Sequence, residues 1–166
     1  AKCVAEVAVQ LFDQFQADHG LPPRYRLLLR IASLLHEVGG FVSSRAHHKH
    51  SEYLIANSEI FGLNRGEITL VSQIARYHRR SVPRASHVAY MALSREARVV
   101  VNKLAAILRV ADALIRGHRR RATEIHFQRH GDELSIFLPS GRDLLLEERA
   151  MENKGDLFED IFGVKI

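Results

Sequence analysis

The sequence lacks tryptophan, has a single cysteine and contains no long apolar run. The lone Cys3 excludes a disulfide within the chain and is typical of a reducing compartment, so we expect a cytoplasmic protein. No apolar run reaches the roughly 20 residues of a membrane-spanning helix, so we expect no membrane partner. The four tyrosines are scattered and no nucleic-acid module signature is present. Nucleic acid is therefore not the expected partner.

The chain is basic. It carries 24 lysines and arginines against 19 acidic residues in 166 positions, a formal charge of +5. A charge of this sign favours a polyanionic partner, such as a phosphate chain or a nucleotide. The length is enough for one compact domain with a small appendage.

Apolar residues recur at helical spacing through the first two thirds of the chain. This pattern predicts helices over 2–18, 24–37, 48–59, 64–78, a short one near 87–93, and 95–117. The second and last are apolar nearly all round, which indicates burial. Asn64 followed by Glu67 predicts a capping box at the start of the fourth helix.

The pattern changes after residue 118. Thr123, Ile125 and Phe127 alternate with polar residues, "RHGD" forms a turn, and "ELSIFLP" alternates again, which predicts a β-hairpin. Residues 143–162 have a helical pattern, and the terminal "GVKI" suits a third, edge strand. We expect a mostly α fold, with a helical domain over 1–118 and a small α+β subdomain over 119–166.

Polar residues that can bind metals interrupt several of the apolar helices. Imidazoles and carboxylates drawn from different helices commonly bind one or two metal ions in a bundle. A histidine-rich set favours Mn, Fe, Zn, Co or Ni over Mg. The candidates are His36, Glu37, His47, His50, His78 and Asp112.

Each candidate also has a structural interpretation. His36 and Glu37 can form the polar end of a buried helix, and His78 can satisfy a backbone carbonyl. Asp112 can pair with Arg109 or Arg116, at i−3 and i+4 on its own helix. Both interpretations remain open at this point.

Three segments carry a resemblance to a known family. "LLHEVGGFVSSRAHHKHSEYLI", "IARYHRR" and "LAAILRVADALIRGH" resemble the C-terminal half of the exopolyphosphatase/guanosine pentaphosphate phosphatase family, and through it the HD superfamily of metal-dependent phosphohydrolases. The resemblance extends over nearly the whole chain, including "LFEDIFGVKI". It implies an HD-like helical bundle.

The resemblance also implies roles for individual residues. His36 and Glu37 fall at the HD dipeptide, and Asp112 falls at the last metal carboxylate. His50 and His78 fall where two-metal members have further histidines, with His47 as a secondary candidate. His48 and Lys49 are expected to face solvent or phosphate. The dipeptide is His-Glu rather than His-Asp, and residues 1–18 lack the first histidine ligand, which we expect ahead of Ala1.

Hydrolysis in that family belongs to a preceding actin-like module with glycine-rich phosphate loops, and these residues contain no such loop. The C-terminal half is expected to help hold the substrate and to mediate homodimer contacts. Arginines next to the metal candidates would then contact a phosphate chain; the alternative is a solvated basic surface. The phosphate-binding candidates are Arg76, Arg79, Arg80, Arg116, Arg119 and Arg120.

Three hypotheses follow from these observations. In the first, the chain is an accessory domain that binds polyphosphate or guanosine polyphosphate beside its own N-terminal phosphatase module. In the second, it is an autonomous HD-type phosphohydrolase that uses a divalent metal ion. In the third, it is an interaction domain whose histidines are structural.

Overall fold

The computed structural model describes residues 1–115, 122–138 and 144–166. Most of this part of the chain is helical. The helices are α1 (Lys2–Gln14), α2 (Gln16–His19), α3 (Arg24–Leu35), α4 (His47–Ala56), α5 (Arg65–Arg76), α6 (Val88–Met91), α7 (Arg95–Leu114), α8 (Leu145–Lys154) and α9 (Asp156–Phe162). Short 3-10 turns cover Val38–Phe41 and Ala122–Glu124, and the strands are β1 (His126–His130) and β2 (Glu133–Phe137). The predicted mostly α fold with a small β appendage is confirmed.

Helix α7 is the centre of the bundle. From Val100 to Leu114 it buries residues on nearly every face, which confirms the burial predicted for this helix. Helix α3, also predicted to be buried, buries only one face and leaves Leu27 and Leu34 exposed. Helices α1, α5, α8 and α9 pack around it. Phe158 of α9 lies edge-on to Phe15, with ring centroids 5.0 Å apart.

The helix boundaries differ from the predictions in several places. Within the predicted helical segment 143–162, the described residues form two helices, α8 and α9, on either side of Gly155. The segment 2–18 is two helices separated at Phe15, where φ is −95° and ψ is 20°. Helix α3 ends at Leu35, so His36 and Glu37 follow it as a turn. Helix α4 starts at His47, directly after Ala46 in the left-handed region at φ 55°. The predicted capping box is present, since Asn64 and Glu67 each accept a hydrogen bond from the other's backbone N–H.

The β appendage is an antiparallel hairpin. Strands β1 and β2 pair from His126 opposite Phe137 to His130 opposite Glu133. The terminal segment adds only an isolated bridge instead of the predicted edge strand: the N–H of Leu134 donates to the carbonyl of Lys165 at 2.7 Å. Leu134, Leu157 and Phe158 belong to the same apolar cluster as Phe15 and Leu104. The division into domains at 118 and 119 stays a prediction, because both residues lie outside the described ranges.

Across the residues that the structure describes, no helix has the length and apolar character that a membrane crossing requires.

The guanidinium of Arg109 ties α7 to the ends of three other elements. Arg109 is completely buried. Its Nε donates to the carbonyl of Lys154 at 3.0 Å, and its Nη1 donates to the carbonyl of Arg79. Its Nη2 lies 2.6 Å from the Oδ1 of Asp156 and 3.3 Å from the carbonyl of Asn153. A buried guanidinium is tolerated only when most of its donors are satisfied, and these acceptors take four of its five N–H groups.

Replacing Arg109 by methionine removes these hydrogen bonds while keeping an apolar stem. We expect Arg109→Met to lower the free energy of unfolding by about 3 kcal/mol, because main-chain carbonyl groups lose donors that water cannot replace. Asp156→Asn is the matched control, since the Asp156 side chain is 54% exposed and the amide keeps an acceptor oxygen. It should cost less than about 1 kcal/mol. Equal losses in urea unfolding would show that the charge pair, and not the carbonyl contacts, stabilises this junction.

His19 is a buried histidine that the fold holds in its neutral form. Its Nε2 lies 2.8 Å from the carbonyl of Phe12, and its Nδ1 accepts the N–H of Leu21 at 2.9 Å. Protonation would place a second N–H on Nδ1, facing that of Leu21. Burial lowers the pKa of His19 below its ordinary value of 6.5. The unfolded chain therefore binds this proton more readily than the folded chain does.

The free energy of unfolding should fall as the pH drops below about 6.5. A depressed histidine pKa contributes stability above the unfolded pKa and loses it toward the folded pKa, at no more than about 1.4 kcal/mol per pH unit. Urea unfolding between pH 7.5 and 5 measures this slope. His19→Gln should make it shallower, because other buried histidines still contribute. An identical slope in the variant would rule His19 out as a source.

Candidate functional site

His36 presents an unpartnered nitrogen to the interior. Its ring is completely buried, just beyond the end of α3. Nδ1 lies 2.7 Å from the carbonyl of Ser33, which can only accept, so Nδ1 carries a proton. Among the described residues Nε2 is buried without a hydrogen-bond partner, and the Oδ1 of Asp112 lies 3.4 Å away. An imidazole whose Nδ1 donates to a carbonyl and whose Nε2 has no hydrogen-bond partner can act as a metal ligand or a base.

Asp112 is a buried carboxylate in the last turn of α7. Its Oδ1 faces His36, and its Oδ2 accepts a hydrogen bond from the Nζ of Lys154. Burial alone would raise the pKa of Asp112, but His36 and Lys154 hold that pKa well below its ordinary value. The carboxylate is thus ionised. It does not pair with Arg109, whose guanidinium binds Asp156; Arg116 lies outside the described residues.

His78 repeats the arrangement of His36 at the other side of the site. Its Nδ1 lies 2.7 Å from the carbonyl of Ala75, and its Nε2 lies 3.0 Å from the Nε2 of His47. The rings of His36 and His78 are 4.8 Å apart between centroids. Burial lowers the pKa of His78 well below its ordinary value, and the neighbouring His36 acts in the same direction. The structure therefore brings three predicted histidines, from three segments, into one cluster.

Glu37 and His50, two further predicted ligands, are less closely associated with the buried cluster. Ligand atoms of His36, Glu37 and Asp112 all lie within 4.8 Å of one another, although Glu37 is exposed. His50 is half-buried in the first turns of α4. In the described part of the chain we find no hydrogen bond or ring contact that joins it to the other candidates. Its role as a ligand stays a prediction.

Lys154 is the residue that the sequence prediction missed. It is the last residue of α8, it is buried, and its ammonium reaches Asp112 from 42 positions away. No periodicity signals such a contact, because "MENKGD" has the composition of an exposed helix end.

The donor atoms of His36, Glu37 and Asp112 favour a bound metal ion, whereas the Lys154 ammonium disfavours one. An imidazole nitrogen and two carboxylates are suitable ligands for a divalent transition metal. However, Lys154 already neutralises Asp112, and a buried ammonium repels a divalent ion at the same carboxylate. The residues as they are assembled therefore do not fit a metal ion.

Lys154 also lines a pocket of about 360 Å³. Basic side chains contribute four of its lining residues, and none of the described lining residues is acidic. Arg79 and Arg80, both predicted phosphate ligands, come from the segment after α5, whereas Arg149 and Lys154 come from α8. Asn153, Leu146 and Ala150 complete the lining. The pocket is thus suited to an anion.

The remaining arginine candidates do not all join this pocket. Arg76 is bound to Glu52, with Nε 2.8 Å from Oε2. Arg116, Arg119 and Arg120 lie outside the described residues. His48, expected to face solvent or phosphate, is half-buried instead; burial, with Arg76 and Arg79 nearby, lowers its pKa to about 4.

Gly39 sets the distance between the histidine segments. A Cβ atom here would clash with the carbonyl of His47 and the N–H of Ser51, and would lie 2.7 Å from the Cβ of His50. The Gly39 N–H donates to Ser51 Oγ at 2.9 Å, and that hydroxyl donates to the carbonyl of His36 at 2.7 Å. This seam fixes the start of α4 against the end of α3.

The comparisons with known proteins agree on one family. The sequence profile described as Ppx/GppA phosphatase, domain III, matches residues 1–157. The guanosine-5'-triphosphate,3'-diphosphate pyrophosphatase of Aeromonas hydrophila is 31% identical over 144 residues, which cover 85% of this chain and 28% of that protein. The protein of the same name from Vibrio vulnificus is 29% identical over 137 residues, 80% of this chain and 26% of its own. The chain spans about a quarter of the length of these relatives.

Gly39→Ala should disrupt the seam, because the added methyl group meets backbone atoms that cannot move aside singly. We expect a loss of about 1–3 kcal/mol in the free energy of unfolding, and shifted NMR signals of His36 and His47. Gly40→Ala is the matched control, since Gly40 is exposed with nothing within 4 Å of an added Cβ. It should change the unfolding free energy by less than about 0.5 kcal/mol. A neutral Gly39→Ala would contradict the close approach.

Proposed function

This chain belongs to the Ppx/GppA phosphatase family as its domain III, and from that membership we propose that it holds the phosphate chain of a substrate that another domain of the same protein hydrolyses. The substrate class is inorganic polyphosphate or a guanosine polyphosphate. The second is the class named in the relatives from Aeromonas and Vibrio.

The observation that carries the proposal is the basic pocket between the end of α5 and α8. Arg80 and Arg149 are exposed, and within the described part of the chain neither guanidinium forms an ion pair. Planar guanidinium groups bind phosphate oxygens in a bidentate manner, and no described carboxylate in the lining competes with a phosphate chain. The net charge of +5 supports the same class of ligand at longer range.

The proposal also includes contacts with other protein surfaces. Domain III of such a protein has further domains in its own chain. Phe41 and Phe61 are almost fully exposed, and Tyr53 and Val88 are mostly exposed. Large exposed apolar side chains support a role in contacts with a neighbouring domain or in a homodimer, and the oligomeric state of the full-length protein is the measurement that bears on the second.

An autonomous metal-dependent phosphohydrolase is the second candidate. The close approach of His36, Glu37 and Asp112 favours it, and these residues, with His47, His50 and His78 as further ligands, would hold the ion. A bound divalent ion would supply acidified water and charge neutralisation at phosphorus. The ammonium on Asp112 counts against this candidate.

Removing the two exposed pocket arginines should weaken polyphosphate binding. We expect Arg80→Ala/Arg149→Ala to raise the dissociation constant of fluorescent polyphosphate by about 10-fold or more, because charge-assisted hydrogen bonds are lost. Binding by the unaltered chain should weaken with added salt and proceed without turnover.

Arg30→Ala is the matched control, because Arg30 is an exposed arginine of α3 outside the pocket lining. The proposal fails if the control loses as much affinity as the double variant. Phosphate release by this chain alone that His36→Ala abolishes would instead favour the autonomous phosphohydrolase.

A further inference from the structure

Lys154 places a positive charge where the candidate metal ligands meet. The two oxygens of Asp112 are divided between His36 Nε2, 3.4 Å from Oδ1, and the Lys154 ammonium on Oδ2. A metal ion would need this same carboxylate. The geometry points to Lys154 as a built-in cation that replaces a divalent metal ion at the His36, Glu37 and Asp112 site.

The ammonium is held in place by the fold. The carbonyl of Lys154 accepts a hydrogen bond from Arg109 Nε at 3.0 Å, and the carbonyl of Asn153 accepts one from Arg109 Nη2 at 3.3 Å. Arg109 precedes Asp112 by one turn of α7. The same helix therefore binds both the main chain of Lys154 and its side chain. Lys154 is thus held by both its main chain and its ammonium, unlike a surface lysine that a metal ion could displace at little cost.

The charges of the site are consistent with this role. Glu37 and Asp112 bring two negative charges, and Asp112 is buried beside an imidazole nitrogen that lacks a hydrogen-bond partner in the described structure. A buried carboxylate needs a cation, and Lys154 supplies one. A divalent ion added beside that ammonium would meet a like charge in a poorly solvated space. Without the ammonium, the same three donors form a set suited to a transition metal.

This inference goes beyond phosphate binding, and it predicts a latent metal site. In the full-length protein, Lys154→Ala should bind about one additional equivalent of Co²⁺, seen as a visible absorption band and a raised melting temperature. Lys154→Arg keeps the positive charge and should gain no such band. Lys154→Ala/His36→Ala lacks the imidazole ligand and should gain none either. Metal sites elsewhere in the protein are common to all variants and cancel in the difference.

The unaltered protein provides a test that needs no stable Lys154 variant. Elemental analysis after exposure to Co²⁺ and dialysis should give the same metal content for the unaltered protein and for His36→Ala. One equivalent that is lost in His36→Ala would overturn the inference. A Lys154→Ala variant that folds, as verified by circular dichroism, would also overturn the inference if its Co²⁺ affinity were at least 10-fold too weak to fill the site stoichiometrically. Polyphosphate affinity, measured in parallel, reports on the proposed function separately.

Discussion

The buried guanidinium of Arg109 is the interaction on which the arrangement of this domain depends. A group with five N–H donors and a permanent charge can lie in a core only when its charge and most of its donors have partners. Arg109 donates hydrogen bonds to the carbonyl groups of Arg79, Asn153 and Lys154 and to the carboxylate of Asp156. The segment after α5 and the junction of α8 with α9 are thereby held against one turn of α7. The basic pocket is lined by that segment and by α8.

One turn further along α7, Asp112 binds the same junction through its side chain. Its partner Lys154 belongs to the segment that Arg109 holds, so the buried ion pair and the anion pocket share a residue. Asp112 thus joins α7 to the last residue of α8 through a buried ion pair.

The sequence predicted the helices well, because apolar periodicity and the Asn64–Glu67 capping box are local signals. The approach of His36, His78 and Asp112 could be expected only from the family resemblance, since periodicity places each on its own helix and says nothing of distance. Lys154 and Arg149 could not be predicted. Lys154 contacts Asp112 from 42 positions away, and Arg149 lines a pocket together with Arg79 and Arg80, whereas in sequence both resemble ordinary charges on a solvated helix. Glu37, which departs from the His-Asp dipeptide of the family pattern, is exposed, and α3 ends two residues before it.

The hydrogen bonds that His36 and His78 make to the carbonyls of Ser33 and Ala75 have a mechanical consequence. Each ring is hydrogen-bonded to its own helix end, so a ring flip would break that bond. A displacement of α3 or α5 would therefore shift the Nε2 atom of the attached ring. The distances among the Nε2 atoms of His36 and His78 and the carboxylate oxygens of Asp112 therefore depend directly on how α3, α5 and α7 are packed.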